Sequence, residues 1–185
     1  GLKLKWVKGA ISHKTGMRYD SAEQWPGSIG PYNKAIAISP NEDFYYLFLG
    51  RTYMEWAKVQ AQNAQAFPGS PPVDTLLADA EHSLNTAKGL NPLNTDHYAN
   101  LGRLYVYWAD AKGGSLQLYN QGIKMYETAH NLSPGNAEIW NELALSYAKA
   151  GRYDDAMTAI RGSQQMDNRY DQTPVLAAAH ERTQD

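Results

Sequence analysis

The chain has 185 residues, of which 43% are hydrophobic and 19% charged, so its composition allows a buried core and excludes intrinsic disorder. Its net charge of −2 argues against a nucleic-acid binder that works by neutralising phosphates, and the absence of cysteine excludes disulfides and thiolate metal sites. The longest apolar run, residues 44–49, is far shorter than the ~18 residues of a membrane span.

The first two predicted helices cover residues 3–20 and about 28–39. Gly16 in the first helix is expected to allow close approach by the second. The segment 25–28 is predicted to be a turn, with Ser28 as the N-cap of the second helix. Pro31 then lies in the first turn, where a missing N–H is tolerated, and the helix ends before Pro40.

The third and fourth predicted helices flank a proline-rich tip, residues 67–72. Residues 41–43 are expected to cap the third helix, and the Gln/Ala-rich composition of residues 59–65 predicts that this helix reaches about Gln65. The apolar spacing of residues 73–80 predicts that the fourth helix begins near Val73.

The remaining predicted helices cover residues 95–111, about 115–132, 137–150, 153–166 and 171–183. The pair Gly113-Gly114 is interpreted as a turn. The last helix is predicted to face inward with Leu176 and Ala179 and outward with Glu181, Arg182 and Asp185, as the polar cap of a repeat array does.

One twelve-residue segment occurs in two similar copies. Residues 46–57 read YLFLGRTYMEWA and residues 98–109 read YANLGRLYVYWA. Weaker copies begin at Gly16 and at Trp140, so the chain resembles the tetratricopeptide repeat family over nearly its whole length. The resemblance implies an all-α, right-handed α-α superhelical solenoid of four helix pairs plus a C-terminal capping helix.

The repeats are predicted to form a single array over residues 1–185. Their bounds are about 3–40, 41–92, 93–134 and 135–168, with Asn168 in place of the proline that ends a repeat. The second repeat is 18 residues longer than the ideal 34 and the third is 8 longer. Both insertions are predicted to fall between the two helices of their repeat, which lengthens the helices.

No catalytic or metal-binding constellation is found, so we expect neither an enzyme nor a cofactor. In tetratricopeptide proteins the first helix of each pair lines a concave groove that binds a protein or peptide. Carried onto this chain, the groove positions give eight candidate ligand-binding residues: His13, Met17, Arg51, Glu55, Arg103, Tyr107, Asn141 and Lys149. Arg51 and Arg103 occupy equivalent positions and suggest an anion-binding fork. The alternative is internal pairing with Glu55, Asp96 or Glu138.

A narrower resemblance is carried by the segments NEDFYYLFLGRTYMEWAK, LNPLNTDHYANLGRLYVYWAD, SPGNAEIWNELALSYAKAGRYDDAM and YDQT. They are similar to the extramembrane C-terminal segment of bacterial O-antigen ligase or polymerase-type membrane proteins. This implies an accessory extracytoplasmic domain that contacts a partner protein, a glycan or a lipid-linked saccharide. Because the chain begins at Gly1 without Met, we expect any membrane attachment to come only from a missing upstream segment. The alternative is a stand-alone cytoplasmic adaptor that binds a peptide.

Overall fold

The computed structural model describes residues 1–167, 169 and 172–182, and these residues form an all-helical fold. The helices are, in chain order, α1 (Leu2–Ser21), α2 (Trp25–Ile38), α3 (Asp43–Gln62), α4 (Val73–Leu90), α5 (Thr95–Ala111), α6 (Leu116–Leu132), α7 (Ala137–Lys149), α8 (Tyr153–Met166) and α9 (Thr173–Arg182).

The helices divide into two compact units that meet in sequence at a predicted repeat boundary. The first unit is Gly1–Pro92 and contains α1 to α4, and the second is Leu93–Asp185 and contains α5 to α9. In each unit consecutive helices pack as pairs, α1 with α2, α3 with α4, α5 with α6, and α7 with α8. This pairing of successive helices confirms the predicted all-α fold of helix pairs.

A glycine in the first helix of three pairs allows a large side chain of the second helix to approach closely. A Cβ atom added to Gly16 would lie 2.5 Å from the Tyr32 ring, and one added to Gly102 would lie 2.8 Å from the Tyr126 ring. Gly50 stands in the same relation to Leu84, at 2.6 Å. The prediction that Gly16 permits close helix packing is therefore confirmed.

The bounds of α5 to α8 agree with the predictions to within about one residue. The reason is local, because polar side chains cap their first turns. Asn94 accepts a hydrogen bond from the backbone N–H of Asp96, Ser115 from that of Leu118, and Asn136 from that of Ile139. Such caps satisfy donors that the helix itself leaves unpaired, so they fix where a helix begins.

The predicted start of α2 at Ser28 is wrong. The helix begins at Trp25 with Pro26 in its first turn, and Pro31 lies inside it. A proline inside a helix removes one backbone hydrogen bond, which normally ends the helix. Here packing prevails, because Ser28, Tyr32 and Ala35 on one side of α2 are fully buried.

The helix α3 ends at Gln62, three residues before the predicted Gln65, whereas α4 begins at Val73 as predicted. Asn63 is the cause, because its side-chain oxygen accepts a hydrogen bond from the backbone N–H of Gln65 and so replaces the next helical turn. The loop that follows is fixed to α3 by Trp56, whose indole Nε1 donates to Ser70 Oγ at 2.9 Å.

The last helix presents a different residue to the core than predicted. Val175 is 2% exposed, whereas Leu176 is 51% exposed. Ala178 and Ala179 pack against the same core. Residues 175, 178 and 179 are three and four positions apart, so they lie on one side of the helix, and this side faces inward. The prediction for Leu176 is wrong and that for Ala179 is confirmed. Asn168, Asp185 and the side chains of Glu181 and Arg182 lie outside the described residues.

Candidate ligand-binding site

A pocket of about 350 Å³ opens in the first unit between the C-terminal end of α1, the start of α2 and the middle of α3. It is lined by Met17, Asp20, Ser21, Trp25, Phe48, Arg51, Thr52 and Glu55. Three of the residues predicted to bind a ligand therefore share one pocket: Met17, Arg51 and Glu55. Its volume lies at the lower end of the range typical of small-ligand sites, which suits a single side chain of a partner.

Asp20 anchors one side of the pocket by accepting hydrogen bonds from three hydroxyl groups. Ser28 Oγ and Tyr32 Oη each donate at 2.5 Å, and Thr52 Oγ1 lies 2.8 and 2.9 Å from the two carboxylate oxygens. Burial raises the pKa of Tyr32, and its hydrogen bond to Asp20 raises it further. One carboxylate thus ties α1, α2 and α3 together and holds the pocket in shape.

Arg51 is the cation of the pocket. Its guanidinium lies over the Phe48 ring, 5.5 Å from the centroid, and the side chain is exposed. Among the described residues no carboxylate lies within 4 Å of it. Glu55, one turn further along α3, is instead 3.1 Å from Lys58 Nζ. The charge of Arg51 is therefore available to an incoming anion.

Trp25 contributes a donor that sequence reasoning missed. Its indole nitrogen is buried and has no hydrogen-bond acceptor among the described residues. A buried donor without a partner is unfavourable, so a ligand that supplies an acceptor there would gain by doing so. The only signal in the sequence is a tryptophan beside Pro26, which was interpreted as part of a turn.

The prediction that His13 is exposed in a groove is wrong. The side chain is 8% exposed, and its ring lies within 4.7–5.3 Å of the ring centroids of Tyr32, Phe44, Tyr45 and Phe48. Burial lowers its pKa, with Asp20 acting in the opposite direction. His13 therefore packs as an aromatic residue in the core of the first unit, where burial disfavours its charged form.

The predicted cations of the second unit are engaged within that unit. Arg103 donates from Nε and Nη2 to the two oxygens of Glu142 at 2.7 and 2.9 Å, and Glu138 is 3.6 Å away. Lys149 Nζ lies 2.5 Å from Asp110, which also accepts from the Tyr119 hydroxyl. Arg103 would have to leave Glu142 before it could bind an anion. Its pairing with Arg51, which lies in the other unit, stays a prediction.

The other two candidates of the second unit are partly exposed. Tyr107 lies on α5 and Asn141 on α7, and the Asn141 side-chain oxygen is buried without a hydrogen-bond partner. Within the described part of the chain, no group of three or more His, Asp or Glu side chains is arranged to hold a metal ion. None of the described helices is both long and apolar enough to cross a bilayer.

Comparison with known proteins supports the repeat interpretation. Residues 117–172 match a tetratricopeptide repeat family model, whereas no curated protein matches the chain. Among solved structures, MamA MSR-1 shares 19% identity over 87% of this chain and 78% of its own, with a TM-score of 0.62. MamA RS-1, as a double mutant, shares 14% identity over 96% and 77%, with a TM-score of 0.65.

A third structure extends this likeness to a plant protein. The Arabidopsis OM64 TPR domain shares 14% identity over 87% of this chain and 98% of its own, with a TM-score of 0.55. At such identities the likeness shows the fold, and the family match covers α6 to α8. Residues 117–172 thus match the tetratricopeptide repeat family, and the solved structures show that the chain shares the fold of tetratricopeptide repeat domains.

Proposed function

We propose that the domain binds an acidic segment of a protein partner in the pocket of the first unit, with Arg51 as the anion-binding residue. The observation that carries the proposal is the exposed guanidinium of Arg51, which has no carboxylate within 4 Å among the described residues and lies at a pocket of about 350 Å³. Met17 and Phe48 supply apolar walls for the stem of an Asp or Glu side chain, and the Trp25 N–H supplies a second donor.

Asp20 does not cancel this preference for an anion. Its two oxygens already accept the hydroxyl groups of Ser28, Tyr32 and Thr52. A guanidinium offers five donors in a plane, so Arg51 can hold a carboxylate through two parallel hydrogen bonds. Tyr107 and Asn141, both in the second unit, remain proposed ligand contacts.

The test is a peptide library in which each Asp- or Glu-containing sequence is matched by its Asn or Gln version. We expect the wild-type domain to prefer the acidic member of each pair. Arg51→Gln should weaken the binding of acidic peptides by about 1–2 kcal/mol, roughly 5- to 30-fold in Kd, and should leave the neutral peptides unchanged.

The matched control is Arg161→Gln, which removes an exposed arginine of α8. It should leave the affinity for acidic and for neutral peptides unchanged. Equal loss of affinity for acidic and neutral peptides in Arg51→Gln would contradict the proposed role. Binding of an acidic oligosaccharide, but of no peptide, would move the proposal from a protein partner to a glycan.

The narrower resemblance suggests to which kind of protein the domain belongs. If the domain is the accessory extracytoplasmic part of an O-antigen ligase or polymerase-like membrane protein, the acidic partner is another component of glycan assembly. Its support is the set of four sequence segments quoted above. The sequence upstream of Gly1 in the full gene tests it: membrane-spanning stretches there support this setting, and a short soluble leader supports the cytoplasmic adaptor.

A further inference from the structure

The first helix has its large apolar residues on the outside. The residues that α1 buries are small or polar: Gly9, Ser12, His13 and Gly16. Its large apolar residues are exposed instead, by 90% for Leu2, 58% for Leu4, 61% for Trp6, 43% for Val7 and 60% for Ile11. A helix at the edge of a folded domain normally turns its apolar stripe toward the core. This inversion indicates that α1 has a second contact surface.

Three of the exposed residues form one stripe. Leu4, Val7 and Ile11 follow the spacing of a single helix side, and at about 100° per residue this side is roughly opposite to the buried one. Lys8 borders the stripe on one flank, and Lys3 and Lys14 border it on the other. We call residues 4, 7 and 11 with these three lysines the outer face of α1.

The charged residues of the outer face are all basic, and the rest of residues 1–19 adds two further cations. Residues 1–19 contain Lys3, Lys5, Lys8, Lys14 and Arg18 and no Asp or Glu. Among the described residues, no carboxylate lies within 4 Å of any of these five cations. Lys3 and Lys5 in the first turns also oppose the helix dipole, so they do not serve the stability of α1. Their charges are open to an external anion.

We propose that the outer face of α1 docks on the surface of a membrane that contains anionic lipids. The helix would lie flat, with Leu4, Val7 and Ile11 at the boundary between headgroups and acyl chains and with Lys3, Lys8 and Lys14 reaching the phosphates. A narrow apolar stripe between rows of lysines suits this geometry, because attraction to anionic headgroups supplements the small apolar area.

Two other occupants fit less well. A second copy of the chain would bring lysine rows against lysine rows, and like charges at close range repel. A stable protein interface needs about 1,000 Å² or more of buried surface, which a stripe of three apolar side chains does not supply. Charge and size together favour an anionic bilayer.

The test is co-sedimentation of the whole chain with vesicles of phosphatidylcholine alone and of phosphatidylcholine mixed with phosphatidylglycerol. We expect binding to the mixed vesicles and little to the neutral ones, with the affinity falling as salt is raised. Lys8→Gln with Lys14→Gln should weaken binding by about fivefold for each lysine removed. Val7→Ser with Ile11→Ser should weaken it at least as much.

The control variants are Lys34→Gln with Lys124→Gln, two exposed lysines elsewhere, and Leu93→Ser, a leucine that is 77% exposed. These should bind as the wild type does. Equal sedimentation with both vesicle types, or binding that the outer-face variants leave unchanged, would overturn the proposal. So would a dimer in analytical ultracentrifugation that Val7→Ser with Ile11→Ser dissociates, together with no vesicle binding.

Discussion

Asp20 is the residue on which the polar contacts of the first unit converge. Its hydroxyl donors on Ser28 and Thr52 are 0% and 1% exposed, and buried hydroxyl groups are costly unless they are hydrogen-bonded. The three donors lie up to 32 residues away in sequence, so no spacing rule connects them. The one local signal is an acidic side chain in the last turn of a helix, where the dipole disfavours it.

Asp20→Asn should destabilise the first unit. The substitution removes the charge and places an amide N–H₂ donor against hydroxyl donors, which leaves at least one buried group without a partner. We expect the free energy of unfolding in urea to fall by about 3 kcal/mol. Glu23→Gln, an exposed carboxylate in the next turn, is the matched control and should change it little. Equal stability of the two variants would show that the Asp20 contacts contribute nothing net.

At the scale of elements, α1, α3 and α5 can pack closely against the next helix because each has a glycine at the point of contact. The sequence predicted these pairs because the repeat pattern places Gly16, Gly50 and Gly102 at one position. It also predicted the helices whose first residues are fixed by Asn94, Ser115 and Asn136. The prediction of where α2 begins was wrong, because the burial of Tyr32 and Ser28 outweighs the local tendency of Pro31 to end a helix.

Two glycine substitutions should therefore change stability in opposite directions. Gly16→Ala places a Cβ 2.5 Å from the Tyr32 ring and should lower the free energy of unfolding by about 1–3 kcal/mol. Gly30→Ala, inside α2 with nothing within 4 Å, should raise it by about 0.5–1 kcal/mol because alanine favours the helix. Thermal melts followed by circular dichroism measure both. A stabilised Gly16→Ala variant would contradict the close packing.

For the molecule as a whole, the candidate site was only partly visible in the sequence. Arg51 was identified because the repeat places it on the first helix of a pair, and it lies at the pocket. Trp25 and Asp20 were missed because tertiary contacts, not sequence spacing, bring them to the same place. His13 was misplaced because its position on α1 faces the aromatic core, whereas the apolar residues of that helix face outward.

Each unit also contains a histidine whose pKa is lowered by burial, His13 in the first and His130 in the second. The folded chain therefore binds these protons less readily than the unfolded chain. Their contribution to stability is present above pH 6.5, the ordinary pKa of histidine, and is lost as the pH falls from there through the lowered folded values.

We expect the free energy of unfolding to decrease from pH 7 to pH 5, and His13→Gln with His130→Gln to flatten that dependence. Urea unfolding at a series of pH values measures the slope, which is independent of any constant loss of packing in the variant. His82→Gln, at an exposed position of α4, should keep the wild-type slope. If the free energy of unfolding of the double variant changed with pH as much as that of the wild type, other titratable groups would be responsible.

The carboxylate of Asp20 also bears on how the protein is made. Its donors lie at residues 28, 32 and 52, so the last of them is supplied only when α3 is being synthesised. The hydrogen bonds around Asp20 are therefore complete only when the middle of α3 has packed against the first helix pair, so all three helices are needed to form this cluster.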